Sequence, residues 1–499
     1  MLSLPLLVVA FAFASPQEPA PPPPAAVVDV SPAVRATNEL GIALFRALDQ
    51  ERAGKSVFVS PFAIASALAM LAEGARDETA AELRAALHLP ASTPLAELHA
   101  AFRTLTARFA EGGGNSDPAL AQQVLELREQ LEAARREFEK FHESERDVAK
   151  AEAAAERGDA LAYQINALLP RLDRYELCVA NSVWADRAFP LRTAFVSVLA
   201  QYHGPGTATT LDLAKDSAAA AERINAWFAQ HTGGQIRNMV APDRLGAGTA
   251  LVMASAVYFR GQWRTPFSLR HTQDEDFVLA NGERVGARLM HYAAPLKVGY
   301  AAFTGAGEAF PTPELVPADV AKRPPTYPDD DGFTLVELPY KGDELAMVVL
   351  VPRSASGLAR LEGRLDASAL ASWLTHREIR KVDIAMLRFE LRSEASLRPS
   401  LQRLGVRRVF AGDAQLGGIS DAAGLVLPAI DHTAAVKITE LGTEAVAGIG
   451  SYASRFGGYG GLMVPFIPVF RADRPFLFLV RDVKSGAILF LGRVTDPRT

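Results

Sequence analysis

Cysteine is all but missing: Cys178 is the only one in 499 residues. No intramolecular disulfide can form, so packing alone must hold the chain together. The thiol sits in an apolar run beside Val179-Ala180 with no charged cluster to activate it, and it reads as a buried strand residue. Catalytic signatures are missing too. There is no G-x-S-x-G, Walker A, H-E-x-x-H or paired-cysteine zinc pattern, and the nine histidines show no ligand spacing. The expectation is a protein that is not an enzyme and needs no metal or cofactor. Excess positive charge is lacking: the net charge of −5 leaves no footprint for nucleic acid or an anionic membrane. No run is apolar and long enough to span a bilayer.

Positive charge is also missing from the start of the chain, where no Lys or Arg precedes Arg35. The apolar run Leu2–Phe13 and the A-x-A pattern Ala12-Phe13-Ala14 nevertheless read as an export signal over 1–14, without the usual basic head. Residues 15–30 carry the proline cluster Pro16 to Pro24 and read as an extended linker. A secreted or periplasmic address follows.

What is present is most telling near the C-terminus. Glu440-Leu-Gly-Thr-Glu-Ala-Val-Ala-Gly448 follows an apolar strand pattern over His432–Thr439 and leads into the loose run Ile449–Gly461. No proline occurs between Glu440 and Pro465, so every backbone N–H a central strand needs is available. At period two, Thr443, Ala445, Ala447 and Ile449 share one compact face, with Glu444, Val446, Gly448 and Gly450 on the other. A loop able to become a strand fits these residues; an ordinary glycine-rich surface loop fits them equally well.

The rest of the chain separates the two. Ser56–Ala75 (SVFVSPFAIASALAMLAEGA), Asp77–Leu83, Asn181-Ser-Val-Trp184, Ile224-Asn-Ala-Trp227 with Thr232–Ile236, Met253–Trp263 with Pro266-Phe267, Leu401–Val406, Phe410, Arg474–Phe478 and Gly492–Val494 stand in one order along residues 31–499. Segment by segment this resembles the serpins, the superfamily of serine protease inhibitors, and the export signal points to a secreted, prokaryotic-type member. The resemblance implies an α+β fold of three β-sheets with about nine helices and an exposed reactive-centre loop. It also implies suicide-substrate inhibition of serine, or cysteine, endopeptidases: the protease cuts the loop, is trapped as an acyl-enzyme, and the freed segment inserts into the large sheet.

Residue roles carry over by position. The hinge falls on Glu440, Gly442, Thr443, Glu444, Ala445, Val446, Ala447 and Gly448, within a hinge-and-loop segment of 440–470. Val446 is bulkier than usual, and Leu441 stands where a polar residue is common. The polar cluster that latches the sheet, the shutter, falls on Ser60, Ser255 and His432, with Ser255 in place of the usual Asn. Spacing from Gly442 puts the reactive bond at Phe456–Gly457. Arg455 is the alternative if the hinge is one residue shorter, and counting back from Pro475-Phe476 points near Met463. A Phe at the cut implies a chymotrypsin-like or subtilisin-like target protease. The rival reading is a non-inhibitory serpin acting as a chaperone or binding protein.

Three segments exceed the family pattern. Across 112–174, Leu120, Val124, Leu127, Leu131, Ala134, Phe138, Phe141 and Val148 recur in steps of three and four, a heptad seam on a charged helix. Gly158 and Asp159 read as a stop and a new start, followed by the stripe Leu161, Ile165, Leu168 and Leu172. An inserted helical hairpin projecting from the body is expected, either inert or a surface for self-association or a partner. Residues 304–331, rich in proline and acid, read as a mobile loop. The third is the glycine-rich extension Gly457–Gly461.

Overall fold

The computed structural model describes residues 28–498 other than 53, 113–117, 145, 169–174, 247, 268–270, 318–330, 441 and 444–462. The export signal, nearly all of the linker, the hinge from Glu444 onward and Arg455, Phe456 and Gly457 lie outside the described residues. Among the described residues there are eleven α-helices, nine of them outside the pair between Pro118 and Leu168, and sheets of eleven, six and two strands. This is the α+β architecture expected.

Helix α1 (Pro61–Gly74) starts where Ser60 Oγ accepts from the Ala63 N–H at 3.2 Å and Pro61 supplies a preset first turn. Every residue of α1 but Glu73 is buried, because the helix lies inside the main apolar core. Helix α2 (Leu95–Ala110) packs beside it through Phe102 and Phe109, whose rings meet Phe62 edge-on at 5.4 and 5.2 Å.

The six-stranded sheet positions the site. Its strands are β1 (Tyr175–Asp186), β2 (Ala208–Leu211), β3 (Leu251–Gln262), β4 (Phe389–Ser396), β5 (Ile430–Ile438) and the two-residue β6 (Gly442–Thr443). They lie in the order β4-β5-β3-β1-β2, with β6 also on β3. Buried and half-exposed positions alternate without a break along β5, the mark of a sheet with one face on the core. β3 is buried on both faces, since Val252, Ala254 and Ala256 pack against Ile224 and Phe228 of the helix Ser217–His231.

Helices α3 (Pro118–Glu139) and α4 (Val148–Leu168) form the expected hairpin between α2 and β1. Val124, Leu131, Ala162 and Ile165 make a small core of their own, so the seam faces the hairpin's other helix. Two expectations fail. Val148 is 69% exposed, because the chain leaves the seam at a π-turn over Lys140–Ser144. Gly158 and Asp159 do not break the helix: both are buried within an unbroken α4, where small residues let it lie close to its neighbour. At the hairpin's base the Tyr175 N–H donates to Gly112 O at 3.4 Å, and a Cβ on Gly112 would lie 2.2 Å from the Tyr175 ring.

The loop expectation for 304–331 also needs correction. Ala309–Phe310 and Leu315–Pro317 are strands, and the second pairs antiparallel with Met463–Pro465, just beyond the glycine-rich extension. Backbone pairing at both places supplies the order that composition did not reveal.

Candidate functional site

The site is the seam between β3 and β5. These neighbours run parallel, paired from Met253 with Ile430 to Tyr258 with Ala435. Above that point β3 continues to Gln262 and takes a different partner: β6, antiparallel, with Gly442 opposite Gln262 and Thr443 opposite Gly261. The chain leaving β5 therefore turns at Thr439–Glu440 and re-enters the gap between its own strand and β3. Gly261 permits this approach, since a Cβ there would meet Phe259 at 2.6 Å and Tyr340 at 2.9 Å.

Glu440, at the turn, is completely buried. Its carbonyl accepts from the Phe267 N–H at 2.7 Å, and the carbonyl of Thr439 accepts from Trp263 Nε1 at 3.1 Å. Its carboxylate accepts from Thr272 Oγ1 at 2.8 Å and pairs with Arg135 of α3 at 3.0 Å, itself only 3% exposed. Arg135 also lies 3.6 Å from Glu139, one turn along α3, and Glu139 pairs at 3.1 Å with Arg388, the residue before β4. Burial of a carboxylate is tolerable only when hydrogen bonds and a counter-charge meet it, and both are present.

The three shutter residues do come together, though not with the expected bonds. His432 Nε2 accepts from the Ser60 backbone N–H at 3.1 Å, while the Ser60 hydroxyl turns away to donate to Leu489 O at 2.7 Å. Because Nε2 is an acceptor, the ring proton belongs on Nδ1, which faces Ser255 Oγ at 3.4 Å. That long contact is the consequence of the short serine side chain. Asn181, on the neighbouring β1, donates to Ala63 O at 3.0 Å and extends the cluster.

Complete burial lowers the His432 pKa from 6.5 to about 4. The unfolded chain takes up the proton first, so His432 destabilises the fold progressively as pH falls from 6.5 towards 4. The expected contribution is on the order of 3 kcal/mol across that window. Unfolding free energies of wild type and His432→Asn, measured from pH 7.5 to 4.5, should diverge in slope, with the variant flatter. Parallel slopes would refute a buried neutral imidazole.

Cys178 is half-buried rather than fully buried, in β1, and burial raises its thiol pKa to about 11, so it stays protonated at neutral pH. Glu440 was singled out in the sequence, as an expected hinge residue. Arg135, Glu139, Thr272 and Arg388 were not, because each is one among many charged or polar residues on its element. The only local hint is that Arg135 adjoins Ala134 of the heptad seam.

Two layered sheets enclosing a buried helix, with a parallel strand pair into which the following segment begins to fold, define the class of the fold. The sequence model of the family described as "Serpin (serine protease inhibitor)" matches residues 35–157 and 122–497, and the chain belongs to that family. It is 27% identical to human Serpin B3, over 91% of this chain and 97% of that one. It is 28% identical to the leukocyte elastase inhibitor of Bos taurus, over 93% and 98%. An uncharacterized serpin-like protein of Thermococcus kodakarensis is 26% identical over 94% of this chain and 86% of its own. Among solved structures, uncleaved ovalbumin matches with a TM-score of 0.67 at 22% identity, covering 93% of this chain and all of that one. Human thyroxine-binding globulin matches at 0.66 and 19%, covering 94% and 99%. Relatives of the chain are thus named for elastase inhibition, and its fold is shared with a protein named for thyroxine binding. No helix among the described residues is long and apolar enough to cross a membrane.

Proposed function

We propose that this protein inhibits serine endopeptidases as a suicide substrate, by inserting the cleaved loop between β3 and β5. The observation that carries the reading is the parallel β3–β5 pair with β6 already antiparallel to β3 at its open end. A strand entering there runs antiparallel to both neighbours, replacing one slanted parallel ladder by two antiparallel ones, which are more stable per residue. Stability of the intact form is then kinetic, because a better-paired arrangement is withheld by the uncut loop.

Continuing the register of β6 sets Ala445 opposite Phe259, Ala447 opposite Val257, and Ile449 opposite Ser255 at the His432 cluster. On the other face Gly448 and Gly450 come opposite Ala256 and Ala254, the stretch covered by the helix Ser217–His231, where only small residues fit. Val446 meets half-buried Tyr258, which has room for it. The register reaches the start of β3 at Ala453, three residues before Phe456, so cutting at Phe456–Gly457 frees enough chain to fill the strand. The Met463 alternative is disfavoured, since Met463–Pro465 is held in a strand with Leu315–Pro317. Export of the chain, its prokaryotic-type character and the preference for an enzyme with an apolar specificity pocket remain part of the same reading, on the sequence grounds already given.

Incubation with chymotrypsin-, subtilisin- and trypsin-like enzymes tests it. A complex that survives boiling in detergent, with a released peptide beginning at Gly457, is expected for the first two. Phe456→Ala should slow that reaction roughly 10- to 100-fold, the value of about 1.5–3 kcal/mol for burying an aromatic ring. A peptide beginning at Phe456 assigns the bond to Arg455, and one beginning at Val464 assigns it to Met463. Clean proteolysis without complex would favour the binding-protein reading.

A further inference from the structure

The α3–α4 hairpin lies where its chain connections and its ion pairs belong to opposite sides of the seam. Covalently it continues into β1, and β1 is paired with β3 along its length, from Tyr175 opposite Gly261 to Ala185 opposite Leu251. Electrostatically it is tied across the gap: Arg135 reaches Glu440 at the end of β5, and Glu139 reaches Arg388 at the head of β4. The four side chains alternate in sign, Arg388, Glu139, Arg135, Glu440, at separations of 3.1, 3.6 and 3.0 Å. The end of the relay at the hinge is the buried one, with Arg135 and Glu440 at 3% and 1% side-chain exposure.

We infer that the hairpin is a staple across the seam, and that Arg135 and Glu139 are positioning residues that restrain the hinge against premature insertion. The inference rests on the reading that the loop inserts between β3 and β5. A new strand must part those two by about one inter-strand spacing, roughly 4.8 Å. The β1–β3 side carries the hairpin body, the β4–β5 side carries Arg388, and Glu440 sits at the junction, on the chain leaving β5 but also bonded to Phe267 and Thr272 beyond β3. Parting them stretches the relay, and separating the buried pair takes from Glu440 its arginine counter-charge in a dry site, leaving it the Thr272 hydrogen bond. The staple therefore raises the barrier to insertion in the uncut protein. Its shape also explains why the hairpin's own apolar seam is satisfied internally: its outward work is done by charged side chains, not by an apolar docking face.

The test compares wild type with Arg135→Gln, Glu440→Gln, the double variant and Arg135→Lys, each intact and after loop nicking. Two quantities are read: the melting temperature of both forms, and the rate at which the intact protein converts on warm incubation to a heat-resistant, non-inhibitory form. Each single Gln variant should convert faster, on the order of tenfold or more. The double variant should be no faster than the faster single one. Arg135→Lys, which keeps the charge but cannot reach Glu139 and Glu440 together, should fall between, and it keeps the test open if a Gln variant fails to fold. In the nicked form no variant should melt below wild type, because the relay is already broken. Equal losses of melting temperature in intact and nicked forms would show an ordinary structural ion pair and overturn the staple, as would conversion rates matching wild type. A wild type whose melting is unmoved by nicking would remove the insertion reading and the staple with it. A wild type that shifts normally while the variants track it would remove the staple alone.

Discussion

Nicking the reactive loop should raise the melting temperature sharply. The uncut chain holds β3 and β5 in direct parallel pairing over Met253–Tyr258 and Ile430–Ala435, with Gly442 and Thr443, the last described residues before 463, started into the gap. Once cut, the upstream segment is free to continue that strand down β3. It gains two antiparallel ladders and buries its compact face against Phe259, Val257 and the core below. Each gain of about 5 kcal/mol, modest for a new central strand, moves the midpoint by roughly 5 °C in a protein of this size. Differential scanning of intact and nicked protein at matched concentration reads this directly. Coincident transitions would mean that no strand is withheld, and the inhibitory reading would fall.

On the proposed mechanism, Thr443→Arg should turn an inhibitor into a substrate. Position 443 stands opposite Gly261, whose own Cβ direction leads straight onto Phe259 and Tyr340. Residue 443 already lies in the gap of the uncut protein, so a guanidinium there is expelled and must re-enter without a counter-charge before the strand can extend, and an uncompensated buried charge costs several kcal/mol. If only about 3 kcal/mol of that appears in the insertion barrier, insertion slows roughly 100-fold and hydrolysis of the acyl-enzyme overtakes it. Gel densitometry should show cleaved monomer in place of complex, with protease activity recovered. Thr443→Ser, which adds no bulk or charge, should remain near wild type. Complex formation by Thr443→Arg at the wild-type stoichiometry would be incompatible with insertion at this register.

The sheet framework and the place of the hinge were legible in the sequence through the order of its serpin-like segments. Local pattern supplied the apolar strand over His432–Thr439 and the run of small residues after Glu440. The hairpin was legible for the same reason, through its heptad spacing. Its details were not. Periodicity ran past the end of the helix to Val148, which the π-turn rotates into solvent, and Gly158 looked like a terminator although α4 continues through it. A glycine's helix-breaking tendency is only about 1 kcal/mol, and packing against α3 overrides it. The Arg135–Glu440 pair joins residues 305 apart, and no local rule distinguishes that arginine from its neighbours. The strand Leu315–Pro317 was hidden for a related reason, since its partner Met463–Pro465 lies far along the chain.

The closed base of the hairpin has a bearing on how the protein reaches this structure at all. Joining α2 to β1 through an unstructured tether of residues 113–174 would add to the entropy of closure before β1 could find β3. Instead α3 and α4 meet through contacts close in sequence, of the kind that form early, and Tyr175 is bonded back to Gly112. Once the two helices have zipped together, the chain between α2 and β1 is kinetically short. The segment thus adds length without adding much to the search, and a version in which Gly112 is linked directly to Tyr175 by a brief Gly-Ser turn should refold at a rate close to that of the full chain.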